Sequence, residues 1–280
     1  LDGGRYIDTF SGTVTRDPET GEVNVGVYRG MVVGKNKISK FLVPHQHWGH
    51  HFQKYRARGE DMPVAVVYGC DDVLPFVGGA PLAHPPDEYE VMGGLKEEPI
   101  ELVRCETNDL LGPAWAECVV EGKISTDPAS YEIEGPFGEW TGYYGWNKRR
   151  PTIEVECITY RNDPILRGNI EGSGGGKVSE SAFMSSAYMP ALLWGYLEKA
   201  GVPGVVDIAF GINVVVKIRK LFAGHARQVA AALFGSWMGK EFLKTIIVVD
   251  DDVDIYDRSD LDRAMRDRMD PKDDVVIFPG

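Results

Sequence analysis

The chain has 280 residues, 43% of them hydrophobic, and a formal net charge of −12. That is enough apolar material for one large domain or two ordinary ones. The acidic surplus excludes a nucleic-acid backbone or an anionic membrane surface as main partner, since both attract basic faces.

No apolar run approaches the roughly 18 residues of a membrane-spanning helix. The four cysteines, Cys70, Cys105, Cys118 and Cys157, lack metal-site or disulfide spacing and predict reduced thiols in a cytoplasmic protein. The chain opens on Leu1 instead of Met, with Asp2 to Ile7 already reading as domain interior. A trimmed, processed or missing leading segment is therefore expected.

From Tyr6 to about Ile158, short β-rich runs alternate with Gly, Pro and Asp clusters: Val23 to Val33, Ile38 to Pro44, Val64 to Gly69, Ile100 to Cys105, Glu117 to Glu121 and Ile153 to Tyr160. This spacing predicts a barrel or sandwich. Only Trp48 to Arg58 and Asp87 to Leu95 read as helices there. The character changes after Arg161 to Pro164 and the glycine-rich Gly172 to Gly176. Helices are expected over Ser179 to Ala200, Ala223 to Trp237 and Ser259 to Met269, and strands within Val205 to Ile218 and over Thr245 to Val249. The class is α+β, with one domain over residues 1–165 and a smaller α/β domain over 166–280.

The segments Asn24 to Arg29, Pro44-His-Gln-His47 and Pro86-Asp-Glu88 offer an amide oxygen, an imidazole and a carboxylate, a mixed set suited to Mn2+ or Mg2+ bound beside a phosphate. On residue type alone, a strand Asn and a histidine-rich turn are more often structural. His45 and His47 would form a same-face pair only if a strand continued past Pro44; a loop entering the Trp48 helix accounts better for His45, His50 and His51. Glu134 and Glu139 bracket the rigid turn Gly135-Pro136-Phe137-Gly138. Two acids held close cannot both ionise cheaply, so one can carry a proton, and an arginine such as Arg29 would grip a carboxylate through its planar fork. A surface turn flanked by two acids is the plainer alternative. Gly172 to Lys177 fails as a phosphate loop, because Glu171 and Val178 stand where Gly and Ser or Thr are needed. Asp250 to Asp254, after a strand, reads either as a metal-binding acidic cluster or as a solvated turn.

Taken together, Asp2-Gly-Gly-Arg-Tyr-Ile7, the Asn24 to Arg29 segment, Thr107 to Pro113, Glu117 to Gly122, Glu134 to Glu139, Ile158 to Arg161 and Val249 to Asp254 resemble UbiD-type decarboxylases, in family order along the whole chain. Gln46-His47 and Glu139 look closer to the ferulic acid decarboxylase branch. The resemblance implies a split β-barrel flavin-binding domain holding prenylated FMN, then an α/β dimerisation domain. Asn24, His47 and Glu88 would ligate the metal, and Val27, Tyr28, Arg29 and Gln46 would line the flavin. Val77, Gly78 and Ala80 fall where the family touches phosphate and K+, and Arg268 falls near the cation. A flavin-contacting Lys of that branch aligns with Met238, so Lys240 would have to take its place.

By the same resemblance, Arg29 holds the substrate carboxylate, Glu139 protonates the carbon that loses CO2, and Glu134 tunes both. The implied partners are a small carboxylic acid, a flavin prenyltransferase that supplies the cofactor, and a second copy of the chain. Phe183, Met184, Tyr188, Leu192, Trp194, Phe234 and Trp237 are more bulky apolar groups than two short helices can bury on one small sheet. Two other functions stay open: a metal-dependent transferase using Asp250, Asp252 and Asp254, and a non-catalytic flavin-binding subunit of a larger complex.

Overall fold

The computed structural model describes residues 2–83, 87–171, 179–211 and 213–278, with the side chains of 240–242 outside the description. The chain forms two compact units that divide between Ala182 and Phe183.

In the first unit the elements run β1 (Arg5–Tyr6), β2 (Gly12–Arg16), β3 (Val23–Gly26), β4 (Gly30–Gly34), β5 (Lys37–Lys40), α1 (His47–Arg58), β6 (Met62–Tyr68), α2 (Val73–Gly78), α3 (Glu88–Lys96), β7 (Leu102–Arg104), β8 (Leu111–Pro113), β9 (Cys118–Ile124), β10 (Glu132–Glu134), β11 (Lys148–Arg150) and β12 (Thr152–Tyr160). Eight of these strands make one curled sheet, a split barrel, in the order β1-β4-β5-β12-β9-β6-β2-β3. Its long strands β6, β9 and β12 pair antiparallel, with Met62 opposite Ile124 and Ile124 opposite Ile153. Trp48, Phe52, Met62, Val64, Ile124 and Ile153 fill one face. Val14, Val25, Leu74, Val77 and Met92 fill a second cluster under α2 and α3.

The expected strand Val23 to Val33 is two strands, because the chain changes partners within it. β3 pairs with β2, whereas β4 pairs with β5 and β1. Val27, Tyr28 and Arg29 lie between the two ladders, free of strand geometry. The strand at Gly12–Arg16 was not among the expected runs; β2 lies between β6 and β3, and its Thr13 and Thr15 are fully buried.

The second unit contributes α4 (Glu180–Lys199), β13 (Val205–Phe210), β14 (Val214–Ile218), α5 (His225–Phe234), α6 (Trp237–Phe242), β15 (Ile246–Asp250) and α7 (Arg258–Arg268). β13 and β14 are antiparallel and β15 joins β14 in parallel, the crossover passing through α5 and α6. Met189, Leu193, Leu197, Val216, Val229 and Leu233 form the core between helices and sheet. The single helix expected over Ala223 to Trp237 is broken at Gly235-Ser236, where the Ser236 hydroxyl accepts the Gly239 N–H at 3.0 Å and starts α6. Phe183 and Trp237 stay exposed. Among the described residues no helix is long and apolar enough to cross a membrane.

Candidate active site

Arg29 leaves the sheet between β3 and β4 and turns toward the end of β10. There the Glu134 carboxylate takes both edges of its fork, Nε donating to Oε1 at 2.8 Å and Nη2 to Oε2 at 3.0 Å. Nη1 donates to Glu139 Oε1. Glu134 is fully buried, Arg29 is 9% exposed and Glu139 is 31% exposed, so the network runs from the interior out to solvent. Burial opposes the charge on Arg29, but the Glu134 hydrogen bonds and both carboxylate charges outweigh it and raise its pKa.

The guanidinium lies over Phe41, 4.1 Å from the ring centroid, with Phe137 at 5.0 Å. Arg150 stacks on the same Phe41 ring at 4.6 Å, and its buried Nε has no hydrogen-bond partner among the described residues. Burial first, and Arg29 as well, push the Arg150 pKa down against the pull of Glu134. Gly145 closes the loop after Glu139, with its N–H on the Phe137 carbonyl at 2.8 Å. A Cβ at Gly145 would stand 3.0 Å from Glu139 Oε1 and 3.4 Å from both terminal nitrogens of Arg29. The bare backbone leaves the Arg29–Glu139 pair approachable.

One participant was missed by sequence reasoning. Tyr6 donates its hydroxyl to Glu134 Oε1 at 2.7 Å and packs on Phe137 with ring centroids 4.4 Å apart. Its presence in the quoted Asp2 to Ile7 motif was the available signal.

The other expected site residues gather around β3. Asn24 and Glu88 are both buried there; Glu88, at the start of α3, accepts the Val25 N–H at 2.9 Å. The Asn24 amide nitrogen donates to the Tyr28 hydroxyl at 3.3 Å. The Tyr28 ring stacks on Trp48 at 4.1 Å, which brings the first turn of α1, with His47 and the Gln46 cap, next to this strand. Val27 donates its N–H to the Gly78 carbonyl at 3.0 Å, so the end of α2, with Val77 and the following Ala80, abuts the Val27 to Arg29 segment. Lys240 lies in α6, and its side chain falls outside the described residues.

The Asp250 to Asp254 run is internally tied. Arg268 forks onto Asp252 with two 2.8 Å bonds, and Asp254 accepts the Tyr256 N–H at 3.0 Å. Among the described residues no group of three or more His, Cys, Asp or Glu side chains is placed to hold a metal; the Asn24, His47 and Glu88 set, with an amide as third donor, is of another kind. β5 ends at Lys40, so His45 and His47 do not share a strand face. His51 is buried against the Thr15 hydroxyl at 3.0 Å. Glu121 ties the Thr107 loop by accepting its N–H at 2.7 Å and its hydroxyl at 2.8 Å, a structural role. The glycine-rich stretch 172–177 lies outside the described residues.

Residues 1–174 match the 3-octaprenyl-4-hydroxybenzoate carboxy-lyase Rift-related domain, and residues 182–280 match the C-terminal domain of the same proteins. The chain belongs to the UbiD family. An uncharacterised protein of Archaeoglobus fulgidus is 35% identical over 99% of the chain and 57% of its own length. The phenolic acid decarboxylase of Bacillus subtilis is 32% identical over 99% of the chain and 59% of its own length. An evolved dimeric form of the UbiD-class enzyme HmfF from Pelotomaculum thermopropionicum, solved with prFMN, superposes with a TM-score of 0.89 at 31% identity, covering 99% of this chain and 63% of that one. The chain thus spans little more than half of these curated relatives.

Proposed function

We propose that this chain is the catalytic core of a decarboxylase that removes CO2 from an aromatic or α,β-unsaturated carboxylic acid with prenylated FMN. Membership of the UbiD family and its fold-level likeness to a prFMN-bound structure support this reading. The observation that carries it is the Glu134–Arg29–Glu139 network, in which a buried carboxylate fixes a guanidinium whose outer nitrogen meets a solvent-reaching acid. Such an array suits an anionic substrate that must be both gripped and protonated.

The donor chemistry at β3 fits the remaining requirements. Asn24, His47 and Glu88 would hold Mn2+ or Mg2+; two of them offer buried hard oxygens. Val27, Tyr28, Arg29 and Gln46 would line the flavin. Val77, Gly78 and Ala80 would flank its phosphate and a K+ ion, and Lys240 would add a further contact. When bound, prenylated FMN would supply an electron sink for the carbon that loses CO2, which otherwise becomes an unstabilised carbanion.

In this reading Arg29 takes the substrate carboxylate in place of Glu139, and the displaced, partly exposed Glu139 takes up a proton from solvent at its carboxyl oxygen. Once CO2 has left, Glu139 delivers that proton to the carbon. Glu134 keeps its fork on Arg29 throughout and so fixes the angle at which the acid is held. Residues 1–165 would bind the cofactor and residues 166–280 would mediate a homodimer or larger homo-oligomer. The setting would be cytoplasmic, with a flavin prenyltransferase as cofactor supplier.

The test is coexpression with a flavin prenyltransferase, native mass spectrometry, and a panel of aromatic and unsaturated acids. Bound prenylated FMN with CO2 release from at least one acid is expected. Bound cofactor and metal with neither CO2 release nor solvent deuterium exchange into any acid would favour a non-catalytic subunit.

A further inference from the structure

Beneath the Arg29 segment lies an ion pair with no part in the chemistry above. Lys40, at the end of β5, and Asp8 are both fully buried, 2.8 Å apart. Lys40 Nζ also donates to the Tyr28 carbonyl at 2.7 Å and to the Thr13 hydroxyl at 3.3 Å, while Tyr68 donates its hydroxyl to the other oxygen of Asp8. The three carbonyls around Arg29 are therefore all held: Tyr28 by Lys40, Arg29 by the Phe41 N–H at 3.3 Å and Gly30 by the Ile7 N–H at 3.2 Å. Asp8 presses so closely on Gly30 that a Cβ there would collide with its carboxylate.

Burying such a pair costs desolvation that its attraction barely repays, so stability is a weak reason for it to be there. Its location gives a better one. The Val27 to Arg29 segment has left the β3 ladder and not yet joined β4, so the Tyr28 carbonyl lacks a strand partner, and a buried backbone acceptor without one is costly. We propose that the Asp8–Lys40 pair is a positioning device that fixes the Tyr28 to Gly30 backbone and thereby the aim of Arg29. The consequence for substrate rests on the reading of Arg29 as carboxylate anchor; the backbone effect does not.

The test is the double variant Asp8→Asn/Lys40→Met in the full chain, which removes both charges together and so leaves no lone buried ion. Thermal melting, peptide-level hydrogen exchange and the dissociation constant for benzoate are measured. The melting temperature should stay or rise. Exchange across residues 28–30 should quicken about tenfold, while β6 keeps its protection. Benzoate affinity should fall about tenfold, the size expected of a carboxylate contact losing its alignment. Exchange unchanged at 28–30, or raised equally in β6, overturns the positioning role. Faster local exchange with unaltered benzoate affinity upholds the device and counts against Arg29 as the anchor. Tyr68→Phe, which removes only the hydroxyl on Asp8, should move exchange in the same direction by less, and it decides the matter if the double variant does not fold.

Discussion

Tyr6 and Arg29 donate to the same oxygen, Oε1 of Glu134, at 2.7 and 2.8 Å, although Tyr6 and Glu134 are 128 positions apart in the chain. The first strand thereby locks the carboxylate that aims the arginine. Tyr6→Phe removes one hydrogen bond to a charged group, a change of about 1.5 to 3 kcal/mol. It should lower turnover about tenfold with little loss of metal or flavin. Steady-state kinetics beside metal and flavin content would check this; unchanged turnover would make Tyr6 a packing residue only.

Gly145 keeps the outer side of the Arg29–Glu139 pair open. Gly145→Ala should fold normally, because Glu139 is partly exposed and can yield, but its methyl group sits within 3.4 Å of the arginine nitrogens where a substrate carboxylate would arrive. A rise in KM of about tenfold with kcat less affected is expected, the pattern of lost ground-state binding. An unchanged KM would place the substrate on another side of Arg29.

Glu88→Gln keeps an acceptor for the Val25 N–H yet removes the charge. The fold should persist while bound divalent metal falls at least tenfold in elemental analysis of dialysed protein. Full metal occupancy in this variant would move the metal elsewhere.

Burial raises the pKa of Tyr6, Tyr28, Tyr68 and Tyr89, with the Glu134 hydrogen bond adding to it at Tyr6 and the Asp8 charge at Tyr68. In the unfolded chain these phenols ionise near 10. Their folded values lie higher, so the stability they contribute is whole below pH 10 and is lost as the pH climbs above it toward those values. Absorbance at 295 nm should show fewer than the chain's 12 tyrosines titrating before a cooperative alkaline unfolding. Smooth titration of all of them near pH 10 in a still-folded protein would contradict the burial argument.

The proposed carboxyl groups were legible because they sit in one short run, Glu134 to Glu139, whose Gly-Pro-Phe-Gly turn leaves them little choice of position. Arg29 was legible from its motif, but its release from the sheet was not. Val25 to Tyr28 keeps a β-forming composition, and only the change of partner from β2 to β5 and β1 ends the strand. Lys40 and Asp8 were opaque for another reason. A lysine at a strand end reads as solvated, and nothing local announces that its ammonium meets an aspartate 32 positions earlier. The strand holding Thr13 and Thr15 was not legible either: its burial comes from neighbouring strands that lie elsewhere in the sequence.

The central claim is that Glu139 moves the proton while Arg29, fixed by Glu134, holds the acid, and solvent deuterium exchange into an accepted acid by Glu139→Gln tests it most directly. That variant keeps the shape of the side chain and an oxygen for Arg29, so fold, flavin and metal should match the parent protein. Exchange and CO2 release should both fall by at least about a hundredfold, the usual scale of general acid catalysis. Near-parental exchange in Glu139→Gln would contradict the account and assign the proton to another group.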